Sequence, residues 1–176
     1  NANLILAITG AAPADEALPR ARGYIEKALA LDDKLAEAHA TLGVIKFFQD
    51  YDMPAYEAEV NRAIELNPNY ADGHRRNGLR LLLVGRYDEA HSALEKALAL
   101  DPFSAPVNRN YAECLLYSGK AQEAEDWARK TAELQSDYWV AYYIIFNVNR
   151  LENKGSKAAE ALAKAYQYKG NGQTAD

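Results

Sequence analysis

The sequence has few of the features that mark disulfide-bonded, membrane-spanning or nucleic-acid-binding proteins. It contains a single cysteine, Cys114, so it cannot form an internal disulfide bond. Its longer apolar runs, such as those at 81–84 and 140–146, are far shorter than the ~20 residues that a membrane-spanning helix requires. The formal net charge of −5 argues against a nucleic-acid-binding surface. We therefore expect a soluble domain without direct membrane insertion and without a nucleic-acid partner.

Motifs for catalysis and metal binding are also lacking. The three histidines, His39, His74 and His91, are scattered, and no HExxH, CxxC or similar pair of metal ligands occurs. The Gly-Ser-Lys segment at 155–157 lacks the preceding strand and the spacing of a phosphate-binding loop. No nucleophile has a base beside it in sequence. We expect no catalytic residue, no metal site and no cofactor in this chain.

The chain instead contains a pattern of helix pairs, clearest at residues 71–104. There the small residues Gly78, Ala90 and Ala97 alternate with large apolar residues at helical spacing. Gly85 interrupts the pattern once, and Pro102 follows its end. This predicts two helices of about a dozen residues joined by a tight turn. Because a single helical hairpin cannot bury both of its apolar faces, it needs neighbours of the same kind.

Small residues recur at a fixed interval along almost the whole chain. Successive members of one series are 35, 34, 34 and 34 residues apart: Ala28, Ala63, Ala97, Thr131 and Ala165. With these landmarks the sequence resembles the tetratricopeptide repeat family. The resemblance implies an all-α solenoid, in which antiparallel helix pairs stack into a right-handed superhelix. It also implies a concave face that binds an extended peptide or a partner helix.

The same landmarks divide the chain into repeats. We expect a single array over 1–169, with a partial repeat at 1–35 and four full repeats at 36–70, 71–104, 105–138 and 139–169. The apolar segment at 3–8 is interpreted as the remnant of a first helix. A polar, glycine-containing tail is expected at 170–176.

One turn resembles a particular bacterial subfamily of these repeats. Residues 49–54 read Gln-Asp-Tyr-Asp-Met-Pro, a variant of an acidic-aromatic D-W-D-W turn, with Tyr51 and Met53 where tryptophans are usual. The following 67–71 segment, Asn-Pro-Asn-Tyr-Ala, also fits. That subfamily forms the C-terminal part of class III adenylate cyclases, winged-helix regulators and related signalling proteins. The resemblance implies a regulatory region, cytoplasmic or periplasmic, of a signalling protein that could be membrane-anchored. An ordinary turn with one inserted residue stays open as the alternative.

The family resemblance also assigns a partner-binding surface. In this family the concave wall comes mainly from one stripe along the first helix of each pair. Transferred to this sequence, the stripe is an apolar and aromatic trough with arginines along it, which suits a protein or peptide with apolar anchors and acidic character. The residues are Val44, Phe47, Phe48, Arg75, Leu79, Leu82, Leu83, Arg109, Glu113, Leu116, Tyr117, Tyr143, Asn147, Arg150 and Leu151.

Two other functions stay open at this stage. The array could be a scaffold whose self-association pairs attached domains, or a small-molecule sensor that uses the aromatic residues Phe47, Phe48 and Tyr117. The carboxylate clamp, by which some family members hold an acidic chaperone tail, is rejected. Only Arg75 and Asn110 fall near its positions.

Overall fold

The computed structural model describes residues 13–170, and these form nine helices and no strand. The all-α prediction is confirmed. The helices are α1 (Ala14–Leu31), α2 (Ala36–Asp50), α3 (Met53–Leu66), α4 (Ala71–Leu83), α5 (Tyr87–Leu100), α6 (Ala105–Tyr117), α7 (Ala121–Leu134), α8 (Trp139–Leu151) and α9 (Gly155–Gly170).

The helices stack as consecutive pairs. The most extensive contacts join α2 to α3, α4 to α5, α6 to α7 and α8 to α9. The second helix of each pair then packs on the first helix of the next pair, and α1 packs on α2 in the same way. The first helices α2, α4, α6 and α8 also contact one another in succession. One face of the array is therefore built from these four helices.

The turn inside each pair requires a left-handed backbone conformation. Gly85 and Gly119 adopt it with φ of 77° and 83°, which costs glycine nothing because it has no Cβ. Tyr51 and Asn153 adopt it at the other two turns, with φ of 55° and 58°. In the acidic-aromatic turn, Asp52 caps α3 by accepting a hydrogen bond of 2.9 Å from the Ala55 amide.

The small landmark residues lie where two helices of a pair approach each other closely. A Cβ added to Gly78 in α4 would lie 2.5 Å from Cγ of Leu94 and 3.3 Å from the carbonyl oxygen of Ala90, both in α5. Leu94 and Ala90 are completely buried. The periodic small residues found in the sequence therefore mark helix–helix contacts.

Two sequence predictions fall wholly or mostly outside the described part of the chain. The remnant helix at 3–8 precedes the first described residue. Helix α9 continues through Gly170, the first residue of the expected polar tail, and the rest of that tail at 171–176 is not described.

Candidate functional site

The predicted stripe lies on α2, α4, α6 and α8, and we call the surface formed by its residues the groove face. Its members differ in accessibility. Val44 and Leu82 are buried within the apolar core, so they pack inside the array and support the surface from below. Phe47, Arg75, Leu79, Arg109, Glu113, Leu116 and Asn147 are half-buried, and Phe48, Leu83, Tyr117, Tyr143, Arg150 and Leu151 are exposed.

Four exposed apolar side chains form a regular series on the groove face, which we call the apolar row. Each occupies the same position near the end of its first helix, and the four are Phe48 (48% exposed), Leu83 (55%), Tyr117 (62%) and Leu151 (58%). Because equivalent positions in stacked repeats lie side by side, these side chains follow one another along the array. Exposed apolar side chains in such a series are typical of a surface that binds another molecule.

The arginines in the middle of the groove face are held by neighbouring side chains. Arg75 Nε lies 2.6 Å from Asp72 Oδ1, and Arg75 Nη1 donates a hydrogen bond of 3.1 Å to Oδ1 of Asn110. Asn110 in turn donates through Nδ2 to Glu113 at 2.8 Å. Arg109 Nε lies 4.0 Å from Glu113 Oε1. Much of the positive charge expected to attract an acidic partner is thus balanced within the protein.

Arg150 differs from Arg75 and Arg109 in its surroundings. Its side chain is exposed in the last turn of α8, and within residues 13–170 it makes no ion pair. Arg150 is therefore the arginine of the groove face whose charge is available to a partner.

Tyr117 is the member of the apolar row whose side chain can ionise. Partial burial raises the pKa of its phenol, and the Glu113 carboxylate and the phenols of Tyr143 and Tyr87 raise that pKa further. The Tyr117 side chain is consequently neutral at physiological pH. A cavity of about 430 Å³ opens beside it, lined also by Ser118 and by the turn at 85–89.

The three histidines, which are the candidate bases, are each bonded to a group that holds them in the fold. His39 Nδ1 lies 2.7 Å from Glu59, His74 Nε2 lies 2.8 Å from the Pro68 carbonyl oxygen, and His91 Nε2 lies 2.9 Å from the Tyr111 hydroxyl.

Cys114 is buried, and this burial raises the pKa of its thiol, which keeps the sulfur protonated. In the described part of the chain, no group of three or more His, Cys, Asp or Glu side chains could hold a metal ion. Between residues 13 and 170, no helix has both the length and the apolar character needed to cross a bilayer.

The partners that hold the arginines were not predicted from the sequence. Asp72, three residues before Arg75 and four before Arg76, bonds both guanidinium groups. This spacing is the usual one for helical ion pairs, so it could have identified Asp72. Asn110 lies 35 residues from Arg75, and the sequence contains no local signal for that contact.

Comparisons with known proteins define the class of the molecule. Residues 81–142 match the family model described as Tetratricopeptide repeat. The structure of PilW, a widely conserved type IV pilus biogenesis factor, matches with a TM-score of 0.78 at 20% identity, over 94% of this chain and 76% of PilW. Pseudomonas aeruginosa PilF matches with a TM-score of 0.73 at 21% identity, over 99% of this chain and 77% of that chain.

A third structure, that of YrrB, a tetratricopeptide repeat protein with an unusual peptide-binding site, matches with a TM-score of 0.64 at 20% identity. The match covers 96% of this chain and 86% of YrrB. At sequence identities of 20–21%, these structural matches are evidence for the fold alone. The described chain is a tetratricopeptide-repeat-type α-solenoid, which confirms the fold class predicted from the sequence.

A curated relative extends the comparison to sequence. The chain is 32% identical over 151 residues to the lipoprotein NlpI homolog of Haemophilus influenzae, which covers 80% of this chain and 46% of the relative. The chain therefore spans about half the length of that relative. The comparisons support the repeat family and give no support to the adenylate cyclase or winged-helix likeness.

Proposed function

We propose that the chain is a non-catalytic interaction module that binds a peptide or helix segment of another protein on its groove face. The observation that carries this proposal is the apolar row, in which four exposed apolar side chains occupy equivalent positions of successive repeats. Fully burying an exposed apolar side chain contributes about 1.5–3 kcal/mol, and because these four are already about half-buried, each contributes roughly half of that on binding, so several together supply useful affinity. The tetratricopeptide-repeat fold supports a protein or peptide as the partner.

Capture from a lysate of the source cells tests this function. The wild-type chain is compared with a Tyr117→Asp, Tyr143→Asp double variant, in which both changed side chains are exposed on the groove face. A Leu31→Asp, Phe103→Asp double variant is the matched control, because these side chains are also exposed but lie outside the predicted stripe.

Loss of one specific partner only in the groove-face variant is the expected result. Equal capture by all three proteins would contradict binding at the groove face. Arg75 is unsuitable for this experiment because a glutamate there would lie beside Asp72 and disturb the fold itself.

The second candidate function is self-association that pairs attached domains, and the C-terminal end of the array favours it. Tyr166 of α9 is 67% exposed, although Leu98 and Ala132, at the equivalent positions of earlier repeats, are half-buried and pack against the core. A cavity of about 330 Å³ lies beside it, lined also by Trp139 and Leu162. Sedimentation measurements across a wide concentration range test this function. A monomer at all concentrations would contradict it for this chain.

The sequence also supports a biological setting for the module. We propose that it is the regulatory C-terminal region of a bacterial signalling protein such as an adenylate cyclase, because of the acidic-aromatic turn at 49–54. The protein sequence that precedes this region tests the proposal. A preceding domain that is neither a cyclase nor a winged-helix domain would contradict it.

A further inference from the structure

The spacing of the apolar row fits the period of a helix. Packed helices lie about 8–10 Å apart, so neighbouring members of the row, one on each first helix, are separated by about that distance. An α-helix rises about 10.5 Å over seven residues, and two turns return a side chain to nearly the same face. A partner helix with an apolar residue at every seventh position would therefore meet Phe48, Leu83, Tyr117 and Leu151 in turn.

The surroundings of the row favour a helix over an extended segment. Phe47, Leu79 and Leu116 flank the row and are apolar, so they offer nothing to backbone N–H or C=O groups of a partner. The polar residues Glu113 and Asn147, at positions equivalent to Leu79, bond Asn110 and the Tyr143 carbonyl oxygen within the protein. An extended segment buried there would leave its backbone groups without hydrogen bonds, whereas a helix bonds its own.

The side-chain amides of the groove face are also engaged within the protein. Asn110 bonds Arg75 and Glu113, and Asn77 accepts a hydrogen bond of 3.1 Å from Arg80. Asn147 donates at 3.0 Å to the carbonyl oxygen of Tyr143. Asn110 is fully buried and out of reach of a partner, so the half-buried Asn77 and Asn147 are the amides that could bond an extended peptide, and their internal contacts favour a helix.

The cavity beside Tyr117 adds room for a side chain of the partner. It lies between the turn at 85–89, which follows Leu83, and Ser118, which follows Tyr117. It is thus positioned between the second and third members of the row. Arg86 and Glu89 in its wall are paired with each other at 2.6 Å, whereas the Asp88 carboxylate in the same wall makes no ion pair within residues 13–170.

The charges along the row differ between its two ends. Near Phe48, Asp50 is paired with Arg22 at 2.9 Å. Near the other end, Arg150 is exposed, and within residues 13–170 it makes no ion pair. The end of the row near Leu151 therefore carries uncompensated positive charge, and an acidic group on the partner would complement it.

We infer that the groove face binds an amphipathic α-helix with an apolar side chain at every seventh position and an acidic residue at the end that lies against Arg150. The inference rests on the proposed function and narrows it to one conformation and one orientation of the partner. The four apolar side chains supply the contact area, and Arg150 fixes the direction in which the helix lies.

Designed peptides test this inference without knowledge of the natural partner. The probe is a fluorescein-labelled helical peptide of about 26 residues, with leucine at every seventh position and glutamate at one end. A second peptide has the same composition with leucine at every fifth position, which spreads the leucines around the helix. A third keeps the seven-residue spacing but contains central prolines that prevent helix formation. Fluorescence anisotropy measures the affinity of each for the complete chain.

The first peptide is expected to bind at least tenfold more tightly than the other two. Leu83→Ser and Tyr117→Ser should each weaken its binding about tenfold or more, because each removes an apolar contact of the partner. Leu31→Ser and Phe103→Ser are matched controls on exposed positions outside the row and should leave the affinity unchanged. Arg150→Gln should weaken binding of the glutamate-ended peptide but not of a version that ends in glutamine.

Several outcomes would overturn the inference. Tighter binding of the proline-containing peptide would show an extended partner, while groove-face binding as such would stand. If the Leu83→Ser and Tyr117→Ser variants bound the first peptide as tightly as the wild type does, the apolar row would not be part of the binding site. A dimer of the chain that these variants dissociate would show that a second copy covers the row. Absence of binding by all three peptides would also refute the helix, and the capture experiment above would decide separately whether the groove face binds any partner.

Discussion

Helices α1–α3 and helices α4–α9 differ in how they are held together. One continuous apolar cluster runs from Leu81 in α4 to Ala161 in α9 and joins all the later helices. The earlier helices contain two smaller clusters, one around Ile45 and Val60 and one around Ala40. No apolar cluster of the described residues crosses between the two regions.

The junction between these regions, at α3 and α4, is mainly polar. Arg80 of α4 lies 3.1 Å from Glu57 of α3, although Arg80 itself is buried. The Tyr56 hydroxyl donates a hydrogen bond of 3.2 Å to the Arg76 carbonyl oxygen. The Tyr70 hydroxyl lies 3.3 Å from Asp72 at the start of α4. Such contacts depend on geometry and charge, whereas apolar packing depends on area, so we expect this junction to open before the apolar clusters do.

Core truncations on the two sides give the largest expected effects. Leu94→Ala should lower the free energy of unfolding by about 3 kcal/mol, and Val60→Ala by about 2 kcal/mol, because both side chains are fully buried. If the regions unfold separately, hydrogen exchange will accelerate throughout α4–α9 in the first variant and only in α1–α3 in the second. Uniform acceleration in both variants would show a single cooperative unit and refute the division.

Asp72→Asn should lower the free energy of unfolding by about 2 kcal/mol. The change leaves Arg75 and Arg76, both mostly buried in α4, without their shared carboxylate. The effect is smaller than the roughly 3–5 kcal/mol of a fully buried pair because the Asp72 side chain is 32% exposed. Glu65→Gln is the control, since its pair with Arg62 is exposed and should contribute about 0–1 kcal/mol. Urea unfolding measures both, and equal effects would refute a special contribution of the Asp72 carboxylate.

The same carboxylate makes the stability of the protein sensitive to acid. Burial would raise the pKa of Asp72, but the charges and hydrogen bonds of Arg75 and Arg76 outweigh burial and lower it. A lowered pKa in the folded state stabilises the protein above the ordinary value near 4, and this stabilisation disappears as the pH falls through the lowered value. The difference in urea midpoint between wild type and Asp72→Asn should therefore shrink from pH 5 to pH 2. A constant difference would contradict this linkage.

Gly78→Ala should destabilise the array by about 1–3 kcal/mol. Its Cβ would lie 2.5 Å from Leu94, a contact that the packed helices cannot relieve without shifting. Gly23→Ala in α1 is the matched control, because nothing lies within 4 Å of its added Cβ. The control should gain about 0.5–1 kcal/mol from helix propensity. If both substitutions raised the melting temperature, or both lowered it, the close approach at Gly78 would not be the cause of the change in stability.

Local and periodic features of the fold were accessible from the sequence. Helices, turns and pair stacking follow from small residues such as Gly78 and from turn residues such as Gly85, which act through neighbours close in the chain or one repeat away. The left-handed conformation of Tyr51 was not predicted, because a tyrosine carries no preference for it.

The candidate site was predictable to a smaller extent. Its stripe follows from repeat positions, but whether a given arginine is free depends on side chains that the fold brings together. Arg75 and Arg150 look alike in the sequence, yet Arg75 is bound by Asp72 and Asn110 while Arg150 is exposed. The importance of Leu83 and Leu151 likewise became clear only from their exposure.

Successive repeats also use different side chains for one recurring hydrogen bond. At the fourth position of each first helix, a side chain bonds the carbonyl oxygen six residues earlier and so ties the helix to the preceding loop. The pairs are His39 with Asp33, His74 with Pro68, Asn108 with Pro102, and Tyr142 with Ser136. The earlier repeats use histidine, and the later ones use asparagine and tyrosine.

This recurrence leads to the smallest expected effect. His74→Asn should cost less than about 1 kcal/mol, because Asn108 makes the equivalent bond to Pro102 at 3.0 Å. His74→Leu should cost about 1–2 kcal/mol more, since His74 is buried and the Pro68 carbonyl group would lose this donor. Thermal unfolding of the two variants measures the difference. If both variants lose the same stability, the shape of the histidine ring and not its hydrogen bond holds the loop, and the histidine repeats would differ from the asparagine and tyrosine repeats in packing as well as in chemistry.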